Sequence, residues 1–192
     1  MKVILASKSP RRQELLGRLV DDFEIIESKF DENSIMFKGN PEEYVKELSK
    51  AKAEAVFHNE KSESIIISAD TVVVHEGRVL GKPKNEEEAY SMLKALSGNT
   101  HKVYSGFCVL NTKNASAICD CCCTEVKFSK LTNEQIQKYI KSEEPFDKAG
   151  AYGIQGLGGV FVEGISGCYY NVMGLPINRL NNILSQYITT LI

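Results

Sequence analysis

The sequence predicts an α/β protein built on a mixed sheet flanked by helices, and three observations carry that expectation. Apolar runs alternate with helix-period segments along almost the whole chain. One run, SIIISAD (64–70), is continuously apolar up to its last residues, as in a central strand covered on both faces. The next, VVVHEGRVL (72–80), turns back at Glu76-Gly77 as a hairpin, so the sheet cannot be purely parallel.

The elements follow in order. Residues 3–7 read as a strand and 10–20 as a helix opening on Pro10, which has no N–H to leave unpaired in the first turn. FEIIES (23–28) reads as a second strand. The long segment 41–57 is a helix with Pro41, Glu42 and Glu43 in its first turn, where carboxylates suit the helix dipole. After the 64–80 strand and hairpin, Asn85 caps a helix running to Leu96, with Glu88 in the capping-box position. Lys102 to Ser129 reads as two strands joined around NTKN. Thr132 caps a helix to about Ser142, with Gln135 as its capping-box partner. A glycine-rich stretch (147–159) precedes a strand at VFVEGI. Pro176 starts a last helix with Ile177, Leu180, Leu184, Tyr187 and Leu191 on one face. With no repeat, low-complexity tract or linker, the 192 residues read as a single domain, with room for two lobes.

Composition excludes several function classes. The formal net charge is −2 and the pI about 6.0, so no global field draws in DNA or RNA, and no basic, aromatic-rich surface stands out. No apolar run approaches the ~20 residues of a membrane helix. Met1-Lys2-Val3 leads directly into a strand without a signal-peptide pattern, so the expectation is a cytoplasmic protein without a membrane partner. Of six cysteines, Cys119, Cys121, Cys122 and Cys123 crowd into CDCCC, while Cys108 and Cys168 stand alone. None has zinc-knuckle spacing, and the three histidines share no metal spacing. We read the cysteines as small hydrophobes in a reducing compartment.

The residues with chemical content sit at strand ends and in loops. In ASKSPRRQELL (6–16), Ser7, Ser9, Arg11 and Arg12 gather where a helix begins, a point that already carries partial positive charge. An anion would explain the gathering, and two solvated arginines are the plain alternative. Asp70 ends the most apolar strand, where α/β proteins place catalytic groups and where turn-capping aspartates also occur. Lys52 lies in a stripe with Val45, Ser49 and Val56, so it either snorkels to solvent or meets an anion. Lys82, between Gly81 and Pro83, would by default be solvated. In DKAGAYGIQG (147–156), glycines allow close backbone approach to a ligand, and Gln155 offers a donor and an acceptor to a base edge; a plain flexible loop is the alternative.

Taken in order, ASKSPRRQELL, the Asp31-Glu32 pair, AKA around Lys52, SADTVV, GKP, LSGNTHKVYSG and EEPFDKAGAYGIQG resemble the Maf family of nucleoside triphosphate pyrophosphatases over nearly the whole chain. That resemblance implies a Maf/ITPase-like fold, a strongly twisted mixed sheet in two lobes around a central nucleotide-binding cleft. It implies hydrolysis of a nucleoside triphosphate to monophosphate and pyrophosphate with a divalent cation, Mg²⁺ or Mn²⁺. By the same resemblance Asp70 is the proton acceptor, and Glu32 and Asp70 hold the metal. Ser7, Arg11, Arg12, Lys52 and Lys82 bind the phosphates. Thr71 and the AGAYGIQG string resemble the branch acting on dTTP and UTP, with Arg11, Thr71 and Gln155 as specificity positions. The alternative is a non-catalytic nucleotide-binding regulator of septum formation, which needs the cradle but not the acid–base machinery. The sequence leaves the oligomeric state open, a homodimer included.

Overall fold

The computed structural model describes all residues, Met1–Ile192. Its strands form one seven-stranded mixed sheet. The chain divides into two compact units: the first comprises Met1–Asp70, Ser105–Cys122 and Gly174–Ile192, the second Thr71–Tyr104 and Cys123–Met173.

Strand β1 (Lys2–Leu5) pairs in parallel with β2 (Glu24–Ile25) on one side and with β3 (Ser64–His75) on the other. β4 (Arg78–Leu80) returns antiparallel along β3 through Glu76 and Gly77, both at positive φ, at the turn read from the sequence. Beyond β3 the order continues through β5 (Thr100–Asn111), β6 (Ser116–Phe128) and β7 (Val162–Ser166), the last antiparallel to β6. The unit boundaries fall within β3, β5 and β6.

In the first unit, helix α1 (Pro10–Leu16) follows β1, and α2 (Pro41–Phe57) precedes β3. Asn40 caps α2 by accepting from the Glu42 and Glu43 N–H groups at 3.0 and 3.3 Å. Ala53 and Val56 of α2 pack on Ile4, Ile66, Cys108 and Leu110 of the sheet. The second unit holds α3 (Glu86–Leu96), α4 (Asn133–Ile140) and α5 (Tyr169–Met173) over a core of Leu93, Leu96, Phe128, Ile136, Tyr152 and Phe161. Thr132 and Gln135 form the expected reciprocal cap on α4. Asn85 caps α3 through the Glu88 N–H, but Glu88 reaches back to the Lys84 N–H.

Other boundaries differ from expectation. Gly17 ends α1 early, and Leu19 and Val20 bury themselves beyond it. The FEIIES strand shrinks to two residues, with a further Ile26 N–H bond to the Leu5 carbonyl. The last helix, α6 (Ile177–Leu184), buries Leu180 and Leu184 and then unwinds ahead of the Ile188-Thr189-Thr190 β-branched run. Leu191, placed by periodicity on its apolar face, instead donates its N–H to the Leu19 carbonyl at 2.8 Å with its side chain exposed. All six cysteines are free thiols; Cys108 is fully buried among aliphatic neighbours, as a small hydrophobe would be. No helix is long and apolar enough to cross a membrane.

Candidate active site

Four ionisable side chains of the first unit converge. Asp70 stands on β3 directly after the fully buried Ala69, and Lys52 stands on the α2 face turned toward the sheet. The Lys52 ammonium donates to Asp70 Oδ1 and ion-pairs with Glu32 Oε1 at 2.7 Å. The Lys52 and Asp70 side chains are 10% and 9% exposed, whereas Glu32 is 52% exposed. Lys52 therefore does not snorkel to solvent; it meets anions, and they are the protein's own carboxylates. The Ser68 hydroxyl donates to the Ser49 carbonyl at 2.5 Å, tying α2 to β3 beside the pair.

Glu32 is presented by local chemistry. Asp31 caps a 3₁₀ turn, Glu32–Ser34, by accepting from the Asn33 N–H at 3.0 Å, while Ser34 donates to the Asp31 carbonyl. The neighbouring acids thus divide their tasks: Asp31 shapes the turn and Glu32 faces Lys52.

The ASKSPRR segment supplies the second cation. The Ser7 hydroxyl accepts from the Ser9 N–H at 3.2 Å and from an Arg12 nitrogen at 3.5 Å. Arg12 Nε donates to the Gly174 carbonyl at 3.0 Å, so the guanidinium is clamped at both edges. Burial lowers the Arg12 pKa; Asp70 and Glu32 oppose that shift, and adjacent Arg11 adds to it. An arginine nevertheless stays charged. Arg11 is half-buried beside it.

Sequence reasoning missed Tyr44, about two turns before Lys52 on the same helix. Its ring packs edge-on against Phe37, centroids 5.5 Å apart. Burial raises its pKa, and the charges of Asp70 and Glu32 raise it further, so the phenol is neutral and within electrostatic range of both carboxylates. Its place in an amphipathic helix made it indistinguishable from a core residue.

The second unit carries the other predicted residues. Thr71 follows Asp70 on β3 and is half-buried. Lys82 is exposed in the loop after β4, and the neighbouring Gly81 carbonyl accepts from the Gly150 N–H at 3.0 Å. Gly150 has φ +68, and a Cβ there would lie 2.8 Å from a Val73 methyl. The 147–159 stretch includes short 3₁₀ turns, Ala149–Ala151 among them, and leads into another at Leu157–Phe161. Gln155 is exposed in a turn closed by the Gly156 N–H on the Gly153 carbonyl at 3.2 Å. Around that turn, Tyr139 donates to Glu144 Oε1 at 2.8 Å and accepts from the Gly153 N–H at 3.2 Å. Glu144 also accepts from the Leu157 N–H at 2.9 Å and the Gly158 N–H at 3.2 Å.

The residues fit a hard divalent cation. Glu32 and Asp70 both pair with the single Lys52 ammonium, so two carboxylates, the ligand type such an ion takes, face one point. No group of three or more His, Cys, Asp or Glu stands ready as an all-protein cage. One or two carboxylates completed by substrate phosphates is the usual set for Mg²⁺. Lys52 pairs with both carboxylates and their charges also act on Arg12, so part of the positive charge here is already offset.

A mixed α/β sheet carrying this cluster of clamped arginine, shared lysine and two carboxylates is the setting for phosphate chemistry. The Maf-like protein family model matches residues 2–187, and the chain belongs to that family. It is 62% identical over 192 residues, all of both chains, to a Clostridium perfringens (strain 13 / Type A) protein named dTTP/UTP pyrophosphatase. Proteins of the same name from Clostridium novyi (strain NT) and Clostridium botulinum (strain Eklund 17B / Type B) are similar. The first is 62% identical over 97% of each chain, the second 55% identical over 98% of this chain and all of that one.

Proposed function

We propose that this chain hydrolyses dTTP and UTP to the nucleoside monophosphate and pyrophosphate, acting on the cytoplasmic nucleotide pool. The carrying observation is the near-buried Asp70 paired with Lys52, which also pairs with Glu32, within electrostatic range of Arg12, on the motif positions of a family whose full-length relatives are named pyrophosphatases.

In this reading Asp70 takes the proton of the attacking water, its orientation fixed by Lys52. An ammonium has three N–H donors; with two directed at Asp70 and Glu32, the third is left for a phosphate oxygen. Arg12, its edges held by Ser7 and Gly174, offers a positioned cation to the phosphates, and Arg11 and Lys82 add charge. Glu32 and Asp70 would hold Mg²⁺ or Mn²⁺, which when bound supplies further positive charge. Gln155, with Thr71, reads a base edge that presents both a carbonyl and an N–H, as thymine and uracil do.

A regulator of septum formation that only binds nucleotide would gain nothing from Asp70 and Glu32, two negative charges beside a polyanion. Catalysis accounts for them.

Hydrolysis of a nucleotide panel in ¹⁸O-labelled water tests the proposal. The label should enter the monophosphate, with dTTP and UTP the best substrates. Label in pyrophosphate would overturn the attack at the α-phosphorus, and a purine triphosphate or 7-methyl-GTP outrunning both pyrimidines would overturn the substrate assignment.

A further inference from the structure

We propose that Glu144, acting with Tyr139, is a positioning residue for base selection, holding in place the turn that presents Gln155. The inference rests on the reading of Gln155 as the base-reading side chain.

The geometry is closed on every side. Gln155 lies in the tight turn Gly153–Gly156. On the near side of the turn, the Gly153 N–H donates to the Tyr139 hydroxyl; on the far side, the Leu157 and Gly158 N–H groups donate to the two oxygens of Glu144. Tyr139 donates in turn to Glu144, so one phenol–carboxylate pair grips the backbone before and after Gln155. A carboxylate accepting several N–H bonds is a strong clamp, because charge-assisted bonds are roughly twice as strong as neutral ones. Burial raises the Glu144 pKa, but the Leu157, Gly158 and Tyr139 bonds outweigh it and hold the group below its ordinary range, ionised at neutral pH.

The clamp is itself anchored. Glu143 is left-handed at φ +61, which turns the chain into the 3₁₀ helix Glu144–Asp147. Lys148 Nζ donates to the Glu144 carbonyl at 2.7 Å and pairs with Asp147 at 2.5 Å. Tyr139 packs edge-on against Phe161 with centroids 4.9 Å apart. The fit also explains a glycine: a Cβ on Gly156 would sit 2.5 Å from both Glu144 oxygens. An exposed glutamine reads a base well only if its backbone is fixed before the ligand arrives, since otherwise ordering the turn opposes binding. A network of this density around an otherwise glycine-rich turn supplies that fixation.

Glu144→Gln keeps the shape but replaces one acceptor with an NH₂ facing donors. Tyr139→Phe removes the hydroxyl that links Gly153 to Glu144. Three quantities are measured on both variants, on Gln155→Ala and on wild type: kcat and KM for dTTP and dATP, hydrogen exchange of the Leu157 and Gly158 amides, and melting temperature. Both clamp variants should exchange those amides faster. Their kcat/KM ratio for dTTP over dATP should fall ~5–20-fold, the scale of about one imperfect hydrogen bond, through a raised KM for dTTP. The dATP parameters should fall far less. If Glu144→Gln does not fold, Tyr139→Phe carries the same test. Parallel losses on both nucleotides would reduce Glu144 to a structural staple and overturn the inference. So would an unchanged ratio beside a ratio lost in Gln155→Ala. A wild-type enzyme without pyrimidine preference, or a Gln155→Ala enzyme that keeps it, would overturn the base reading and the inference together.

Discussion

Lys52 and Asp70 face each other as a nearly buried ion pair, and Glu32 closes on the same ammonium from a more exposed position. This triad couples stability to function at one point. An ammonium placed among carboxylates holds together groups that would otherwise repel. It also offsets the negative charge of both carboxylates at one point.

Lys52→Met should therefore damage both stability and turnover. Removing one partner of a buried pair leaves the other's charge uncompensated, a loss of about 3–5 kcal/mol. Arg12 remains in electrostatic range of Asp70, so the lower end is expected, which lowers the melting temperature by roughly 6–12 °C for a chain this long. Calorimetry and kcat/KM on the same variant check this. A loss of activity with unchanged melting would mean that Lys52 serves phosphates alone.

Asp70→Asn should separate the two properties. Asparagine keeps the volume and an acceptor for Lys52, so the fold should melt within a few degrees of wild type. Turnover should drop by ~10²–10⁴, the usual contribution of a positioned general base. Triphosphate affinity, measured by calorimetry, should hold or improve because one facing negative charge is gone. Activity within a few-fold of wild type would remove Asp70 from the proton-acceptor role.

How much of this was legible in the sequence follows from the range of each interaction. Asn85 and Thr132 cap helices through residues three positions on, so local pattern reveals them, as it reveals the Glu76-Gly77 turn. The five residues of α5 carry no readable period, and what holds them is Asn171, whose side chain donates to the Val103 carbonyl and the Thr124 hydroxyl far away in sequence. Arg11, Arg12 and Lys52 stood out because each is badly placed for its own helix, and Asp70 because it ends the most apolar strand, whereas Glu32 and Lys82 drew notice only through the family resemblance. Their partners did not: Lys52 with Asp70, or Arg12 with the Gly174 carbonyl, are contacts made only by the folded chain. The Glu144 clamp was hidden for the same reason, since its bonds run to backbone N–H groups that no side-chain motif records.

His101 gives the fold an acid-sensitive point. It is buried, edge-on to Phe128 and Tyr152, with one ring nitrogen 2.8 Å from the Tyr152 hydroxyl and Nδ1 lacking a partner. Burial, with a smaller contribution from His75, lowers its pKa from 6.5 to about 4. Between those values the unfolded chain binds a proton that the folded one refuses, so stability rises with pH across this window and is lost as pH falls through it. The slope is at most about 1.4 kcal/mol per pH unit. His101→Phe, which fills the aromatic site, should flatten the fall in melting temperature between pH 6.5 and 5. It should also lower the plateau at pH 7.5 by about 1 kcal/mol, because the Tyr152 hydroxyl loses its partner. Equal slopes in wild type and variant would assign the acid sensitivity to other groups.

Gly106 sets how closely α2 approaches the sheet. A Cβ at this β5 position would lie 2.3 Å from the Val45 carbonyl oxygen and 2.8 Å from the Lys46 nitrogen, which are backbone atoms that cannot swing aside. Gly106→Ala must then lift the α2 segment that carries Tyr44 and leads to Lys52. Overpacking of this kind costs about 1–3 kcal/mol, and more where backbone must move. Because the displaced helix holds the Lys52 ammonium against Asp70, kcat/KM should fall along with the melting temperature. Gly164→Ala on β7 is the matched control, since its Cβ would meet nothing within 4 Å. That variant should melt at or slightly above the wild-type temperature, because alanine restricts the unfolded chain. If Gly106→Ala matches the control in both melting and turnover, close contact between α2 and β5 is not what places Lys52.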